Sequence, residues 1–257
     1  MDKIFSAIRT FFQNETVQFV LICIGIVAAI ALIAWLFEHF LCKDRLRLSS
    51  PKYITTVAVF SALAGVLMLL EFPLFFLAPN FYKLDFSELP VMICSFYLGP
   101  LAGVLCEFLK ILIKLIFKPT TTAFVGELAN FSVGCAFVLP ASMIYHFRKK
   151  KGTALIGLIV GTLVLTVFGT LFNALYLLPA FAKLYGMPME VIINMGTEIN
   201  SHIQGVSSFV MLAVAPLNLI KGTLVSLLTM LLYKRIEPLM FNRETRKPTH
   251  RKQDPQE

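Results

Sequence analysis

The chain alternates long apolar runs with short polar or charged segments. Five runs approach or exceed the roughly 20 residues that cross a bilayer: Val17–Phe37, Tyr53–Leu70, Leu128–Tyr145, Thr153–Ala182 and a last one from Gly205 to Tyr233. Allowing for further apolar helices between them, we predict an all-α, polytopic membrane protein of about seven helices. Little chain is left over for a soluble domain.

Two segments interrupt the simple pattern. The stretch Leu89–Phe117 contains Leu98-Gly-Pro-Leu-Ala-Gly103, and Gly-Pro is a turn signal, so we predict two helices joined at the cytoplasmic face. The helix before it is predicted over about Lys52–Phe76. The segment Phe181–Gln204 is too long for a simple connector, which favours a long loop that acts as a lid.

Charge orients these helices in the membrane. The chain is 57% hydrophobic with a net charge of +8. Fifteen Lys and Arg residues lie in 43–52, 148–151 and 234–252, and only five lie in the segments on the other side. Positive residues collect on the cytoplasmic side, so we predict a multi-pass cell-membrane protein with an external N-terminus and a cytoplasmic C-terminus. The net positive charge is therefore explained by membrane topology and not by nucleic-acid binding.

Polar side chains inside the last apolar run indicate a binding site. Lys221 lies near the middle of that run, where a charge is costly unless it faces a cavity or a partner. Asn218 lies three residues earlier on the same helix face, and Pro216 frees a backbone carbonyl nearby. The alternatives are a lysine that extends to the membrane interface or one that is paired with a neighbouring acid.

Other polar residues fall in the outer half of the predicted membrane domain. Glu127 and Asn130 share a face at the start of one helix, where Glu127 either offsets the helix dipole or lines a pocket open to the outside. Asn173 and Tyr176 are predicted to share a face of another helix. Glu107 and Lys110, spaced i,i+3, are predicted to neutralise each other.

The residue types favour a small-molecule carrier over an enzyme. The chain has no phosphate-binding G-x-x-x-x-G-K-[ST] loop, no H-E-x-x-H and no G-x-S-x-G motif, and its cysteines lack metal-binding spacing. A few amides and one lysine among apolar walls suit a flat heteroaromatic molecule that bears hydroxyl groups. We therefore predict no catalytic residues, no metal and no cofactor.

Five motifs follow one another between Lys52 and Arg235: Leu84-Asp-Phe-Ser-Glu-Leu-Pro90, Leu98-Gly-Pro-Leu-Ala-Gly103, Gly126-Glu-Leu-Ala-Asn-Phe131, Asn173-Ala-Leu-Tyr-Leu-Leu-Pro179 and Ala215-Pro-Leu-Asn-Leu-Ile-Lys-Gly222. With them the chain resembles the riboflavin-specific S components of energy-coupling factor (ECF) transporters. The resemblance implies a six-helix membrane protein that binds riboflavin from outside. It also implies docking on a transmembrane T component driven by two ABC-type ATPases.

The resemblance implies roles for particular residues. Asn173, Asn218 and Lys221 would contact the flavin or its ribityl chain, and the loop Leu84-Asp85-Phe86 would close over it. Ala58 and Ala62 match the alanine motif that packs against the T component. Their small-x-x-x-small spacing lets another helix approach closely.

The chain departs from the family by the extra helix Val17–Phe37, which either packs peripherally or hinders docking. We predict an N-terminal helix and basic linker over 1–48, a six-helix binding domain over 49–236 and a disordered basic tail over 237–257. Alternatives to riboflavin are FMN, thiamin or another vitamin. A membrane assembly protein that transports nothing and an ion-coupled carrier are further alternatives.

Overall fold

The computed structural model describes residues 15–41, 48–79 and 81–241. The basic segment 42–47 and the tail 242–257 lie outside the described residues. The elements are α1 (Glu15–Leu41), α2 (Pro51–Leu69), β1 (Phe72–Pro73), β2 (Lys83–Leu84), α3 (Glu88–Leu98), α4 (Pro100–Phe117), α5 (Val125–Phe147), α6 (Lys151–Phe172), α7 (Leu178–Tyr185), α8 (Met189–Thr197), α9 (Val206–Phe209) and α10 (Ala215–Phe241), with π-helical turns at Asn173–Leu177 and Val210–Val214.

The helices form a membrane bundle, as predicted. Within the described residues, five helical stretches are long and apolar enough to cross a bilayer: Cys23–Phe40, Pro51–Leu69, Val125–Phe147, Lys151–Tyr185 and Val206–Tyr233. The short α3 and the charge-bearing α4 complete the bundle. Almost every residue of α3 is buried, so this helix is surrounded by protein and not by lipid.

The break within 89–117 is confirmed. Gly99 adopts φ 130°, a backbone conformation that residues with a side chain rarely adopt, and Pro100 opens the next helix. The chain therefore reverses direction between α3 and α4. Lys52 lies over the ring of Tyr97 near this turn, which places the turn at the same end of the bundle as the start of α2.

Helix α2 ends at Leu69 and not near Phe76, so the predicted boundary is wrong. Leu70 leaves helical geometry, with φ −88° and ψ 59°. Pro73 lacks an N–H and restricts the residue before it to extended backbone. Phe72 instead pairs with Leu84 in a short antiparallel hairpin of β1 and β2, and this hairpin lies at the end of the bundle opposite the α3–α4 turn.

Helical structure also continues past Pro179, and the predicted loop Phe181–Gln204 contains the end of α7 and all of α8. A π-helical turn directly precedes Pro179, in which the N–H of Leu178 donates to the carbonyl of Asn173. Proline cannot donate in the helix ladder, and the widened turn shifts the hydrogen-bonding pattern just before it. The description of this segment as a loop is therefore wrong, while its role as a lid stays a prediction.

Helix α1 packs on α4 and α5 through a fully buried Ala34. Its Glu38 is 4% exposed and accepts a hydrogen bond of 2.7 Å from the backbone N–H of Leu101, in the first turn of α4. A carboxylate at a helix N-terminus is stabilised by the free N–H groups and the helix dipole. Because Ala58 and Ala62 on α2 stay exposed, α1 packs peripherally and does not cover the alanine motif.

We expect Glu38→Ala to lower the melting temperature of the detergent-purified protein, since it leaves an N–H of α4 without its acceptor. A hydrogen bond to a charged group contributes about 1.5–3 kcal/mol. Glu38→Gln keeps an acceptor and should lose less. Glu190→Ala, at an exposed position of α8, is the matched control, and an equal loss in both alanine variants would contradict the capping role.

Candidate binding site

A cavity of about 420 Å³ lies at the hairpin end of the bundle, where α4, α5, α7, α8 and α10 meet the hairpin and the π-helical turn Asn173–Leu177. Its apolar wall includes Val133, Leu177, Ile192, Val214 and Leu217. Ten of its lining residues are charged or carry a carboxamide: Glu71, Lys83, Asp85, Lys114, Lys118, Glu127, Asn130, Asn173, Asn218 and Lys221. Largely apolar walls with a few converging polar groups are typical of small-molecule sites.

Asn173 is held in one orientation by two hydrogen bonds. Its Nδ2 donates to the carbonyl of Gly169 at 2.7 Å, and its Oδ1 accepts from the hydroxyl of Tyr82 at 2.6 Å. Burial raises the pKa of Tyr82, so the phenol keeps its proton and acts as the donor. The second N–H of the carboxamide remains available to a bound molecule.

Asn218 carries a buried donor without a partner. Its Nδ2 has no hydrogen-bond acceptor among the described residues, and the side chain is only 8% exposed. Helix α6 approaches α10 closely here, because a Cβ at Gly169 would collide with the Asn218 carboxamide. Buried polar groups normally have a hydrogen-bond partner. Because Asn218 lines the cavity, a bound molecule can supply the acceptor.

Lys221 is both a cavity residue and a member of an ion-pair cluster. Its Nζ lies 3.2 Å from Asp85 Oδ2 and 2.9 Å from Glu88 Oε1. Burial alone would raise the pKa of Asp85, but the Lys221 and Lys110 ammonium groups and hydrogen bonds from Ser87 lower it to about 2. Lys221 is therefore paired with neighbouring acids, which was one of the alternatives open from the sequence. It also lines the cavity.

Glu127 joins the start of α5 to the end of α4. Its Oε1 accepts a hydrogen bond from Lys114 Nζ at 2.8 Å, and its Oε2 accepts from the Thr120 and Thr122 hydroxyls at 2.9 and 3.1 Å. The loop that precedes α5 is strained, because Phe124 has a left-handed φ of 68°. These bonds hold the strained loop against the cavity.

Glu71 ties the hairpin to α4 at the rim of the cavity. Its carboxylate pairs with Lys83 of β2 at 2.6 Å and also with Lys118 at the end of α4. Although partial burial would raise the pKa of Glu71, the two lysines more than offset this effect and lower it. The carboxylate is therefore charged at neutral pH, and it connects β2 to the end of α4 at the rim of the cavity.

The arrangement of helices and cavity is shared with a known family of membrane proteins. The family model for "ECF transporter, substrate-specific component" matches residues 52–233. The chain belongs to the ECF transporter S-component family. The matched segment begins after α1, so the N-terminal helix is an addition to the family core.

Two relatives and one solved structure are similar over most of their own length. The chain is 33% identical to the riboflavin transporter RibU of Staphylococcus aureus, over 76% of this chain and 95% of that protein. It is 30% identical to the riboflavin transporter FmnP of Bacillus subtilis, over 73% and 93%. The structure of the S component of a bacterial ECF transporter superposes with a TM-score of 0.58 and 33% identity, and covers 74% of this chain and 98% of that chain.

The cavity of this S component brings together six of the residues singled out from the sequence, namely Asp85, Glu127, Asn130, Asn173, Asn218 and Lys221. Tyr176 does not line it and stacks on Phe172, with ring centroids 5.3 Å apart. Both residues lie in a π-helical turn, which is wider than an α-helical turn, and the role of Tyr176 in binding stays a prediction.

Leu84 and Phe86 also point away from the cavity of the S component. Leu84 is 1% exposed in the core, and Phe86 packs on Phe72 with ring centroids 5.8 Å apart. Asp85 lies between them and faces the cavity, because successive side chains of an extended segment point to opposite sides. The closure of this loop over a ligand stays a prediction.

The sequence did not single out Tyr82, Glu71 or Glu88 as site residues. Tyr82 and Glu71 lie in or beside a loop whose path depends on the hairpin, and no local pattern marks them. Glu88 follows the Asp-Phe-Ser motif at the start of α3 and contacts two lysines. The presence of Lys110, Lys114 and Lys221 within apolar runs was the available signal that buried acids must lie opposite them.

We expect Glu71→Gln to accelerate deuterium exchange of the hairpin amides of the S component at neutral pH, because it removes both ion pairs at the rim. A carboxylate with a lowered pKa stabilises the fold above its unfolded pKa of about 4.3, and the effect disappears as the pH falls through its folded value. Variant and wild type should therefore converge at acidic pH. Glu190→Gln on α8 is the control, and equal exchange in Glu71→Gln and wild type at pH 7 would contradict the rim contact.

Proposed function

We propose that this S component binds riboflavin and mediates its uptake together with an ECF energising module. The family membership and the two relatives named as riboflavin transporters support this function. The observation that carries it is the donor of Asn218, which finds no acceptor in the described part of the chain and lies in a cavity that also presents Asn173 and Lys221.

Riboflavin matches this arrangement chemically. Its ring system is flat and largely apolar, with carbonyl oxygens and a ring N–H along one edge, and its ribityl chain bears hydroxyl groups. Asn218 Nδ2 can donate to a ring carbonyl, and the carboxamide of Asn173 has a second N–H to offer. The Lys221 ammonium suits an electron-rich oxygen, while Leu177, Val214 and the other apolar walls take the ring faces.

The size of the cavity agrees with such a ligand. Its volume of about 420 Å³ lies within the range of roughly 300–1,000 Å³ that is usual for small-molecule pockets. The rim residues Lys83, Lys114 and Lys118 are already paired with carboxylates, so the ligand does not have to bring negative charge to neutralise them. This favours the uncharged vitamin over its phosphate ester.

The cavity is proposed to open to the outside of the cell. It lies at the hairpin end of the bundle, opposite the end where α5 is followed by the basic residues 148–151 and where α2 begins. Because positive loops stay in the cytoplasm, the hairpin end faces outward. The C-terminus would then be cytoplasmic and the N-terminus, beyond α1, external.

Energy for uptake is proposed to come from partner subunits. The chain has no phosphate-binding loop for ATP, and its family is the substrate-specific component of ECF transporters. We propose that a T component packs on α2 at Ala58 and Ala62, which are exposed and spaced for close helix contact. Two ABC-type ATPases would act through that subunit.

We expect Asn218→Ala to weaken riboflavin binding about 10- to 100-fold, because the lost donor contributes roughly 1–3 kcal/mol in a buried site. Gly169→Ala should weaken it as well, since the added methyl group displaces the Asn218 carboxamide. Quenching of flavin fluorescence on titration with purified protein gives the dissociation constants. Asn194→Ala, on the exposed face of α8, should bind like wild type.

The same titration with FMN and thiamin tests the ligand class. Tighter binding of either compound than of riboflavin would assign a different vitamin to the site. Wild-type affinity of Asn218→Ala for riboflavin would remove the observation on which the proposal rests.

We expect Ala58→Leu and Ala62→Leu to reduce riboflavin uptake by cells and to leave the affinity of the purified subunit unchanged. The larger side chains prevent close approach of a partner helix, and the two alanines are not among the residues that line the cavity. Val66→Leu, on the exposed part of the same helix, is the control. Unchanged uptake in both alanine variants would place the docking surface elsewhere.

A further inference from the structure

Five charged side chains form a continuous buried cluster beneath the cavity. Lys221 contacts Asp85 and Glu88, at 3.2 and 2.9 Å. Lys110 contacts Glu88 at 3.2 Å and Glu107 at 2.8 Å. The cluster therefore runs from the cavity wall on α10, across the start of α3, into the interior face of α4.

The charges of this cluster do not balance. It holds three carboxyl groups and two ammonium groups; Asp85, Glu88, Glu107 and Lys110 are buried, and the Lys221 side chain is 14% exposed. An uncompensated charge away from water costs several kcal/mol, so a buried group of this kind takes up a proton or a counter-ion. Among the described residues there is no group of three or more His, Cys, Asp or Glu side chains that could hold a metal ion, which favours a proton.

Glu107 is the carboxyl group with the poorest compensation. Asp85 accepts a 2.8 Å hydrogen bond from the backbone N–H of Ser87 in addition to its contact with Lys221, and Glu88 contacts both lysines. Glu107 is 0% exposed, and within the described part of the chain its ion pair is with Lys110, through Oε2. Beyond that contact, neither of its oxygens has a hydrogen-bond donor among the described residues, and both lie close against Gly134 of α5.

We propose that Glu107 is a buried proton-binding site that is linked to riboflavin binding. Its carboxyl group is protonated and neutral in the ligand-free protein. The groups that face it are Lys110 on its own helix, Glu88 on α3, Lys221 on α10 and the Cys135 thiol on α5. The linkage, though not the proton site, rests on the function proposed above.

The linkage runs through Lys221, the residue that the cavity and the cluster share. A ligand oxygen that engages the Lys221 ammonium weakens its contact with Glu88. Glu88 then depends more on Lys110, which leaves less positive charge for Glu107 and favours its protonated form. Riboflavin therefore binds more tightly when Glu107 carries its proton, and its affinity falls as the pH rises through the titration of this group.

Infrared spectroscopy of the ligand-free protein tests the proton site directly. Wild type should show the carbonyl band of a protonated carboxylic acid at neutral pH, and Glu107→Gln should lack it. Glutamine replaces a neutral carboxyl group without adding charge, so this variant should fold and melt like wild type. Glu38→Gln, which alters another buried acid outside the cluster, should keep the band.

Riboflavin titrations at a series of pH values test the linkage. The affinity of wild type should fall by up to about tenfold per pH unit between the pH at which Glu107 titrates in the free protein and the higher pH at which it titrates in the complex, whereas Glu107→Gln should show no such slope. A pH-independent affinity of wild type would overturn the linkage.

The absence of the infrared band in wild type, or its persistence in Glu107→Gln, would overturn the assignment of the proton to Glu107. Failure of Glu107→Gln to fold would overturn it too. If Glu107 is neutral in wild type, glutamine has nearly the same shape and charge and should be tolerated. If the band behaves as expected and riboflavin does not bind at all, the proposed function fails and the proton site stands.

Discussion

The ammonium group of Lys221, held inside an apolar bundle, is the constraint on which the rest of the site depends. A charge at this depth costs roughly 2.5–3.5 kcal/mol on insertion scales unless it is compensated. Compensation comes from Asp85, after the hairpin, and from Glu88, at the start of α3. The segment that follows the hairpin must therefore lie against α10, while separate ion pairs of Glu71 with Lys83 and Lys118 form the rim of the cavity.

Two features shape the helices around this cation: π-helical turns and small residues at helix contacts. A π-helical turn directly precedes the stretch that begins Leu178-Pro179 and the one that begins Ala215-Pro216, and such turns are frequent at functional sites. Small residues let α6 approach α10, so that Gly169 leaves room for the Asn218 carboxamide. Backbone irregularity and close packing thus place Asn173 and Asn218 on the wall of one cavity.

The additional helix α1 is joined to the family core without changing the cavity. It packs on α4 and α5, and Glu38 binds the N-terminal turn of α4 at the end of the bundle opposite the hairpin. The alanines of α2 remain exposed beside it. The additional helix therefore contributes no residue to the cavity wall and leaves the two alanines uncovered.

The sequence by itself determined the membrane bundle, the break at Gly99 and the polar positions 127, 130, 173, 218 and 221, because apolar run length, Gly-Pro turns and intramembrane charges are local signals. Only the tertiary structure decided that α2 ends at Leu69, that Tyr176 lies outside the cavity lining, and that Glu88 faces Lys221. These outcomes depend on hairpin pairing, on a widened helical turn and on contacts between residues more than a hundred positions apart. Long-range packing has no signature in the spacing of neighbouring residues.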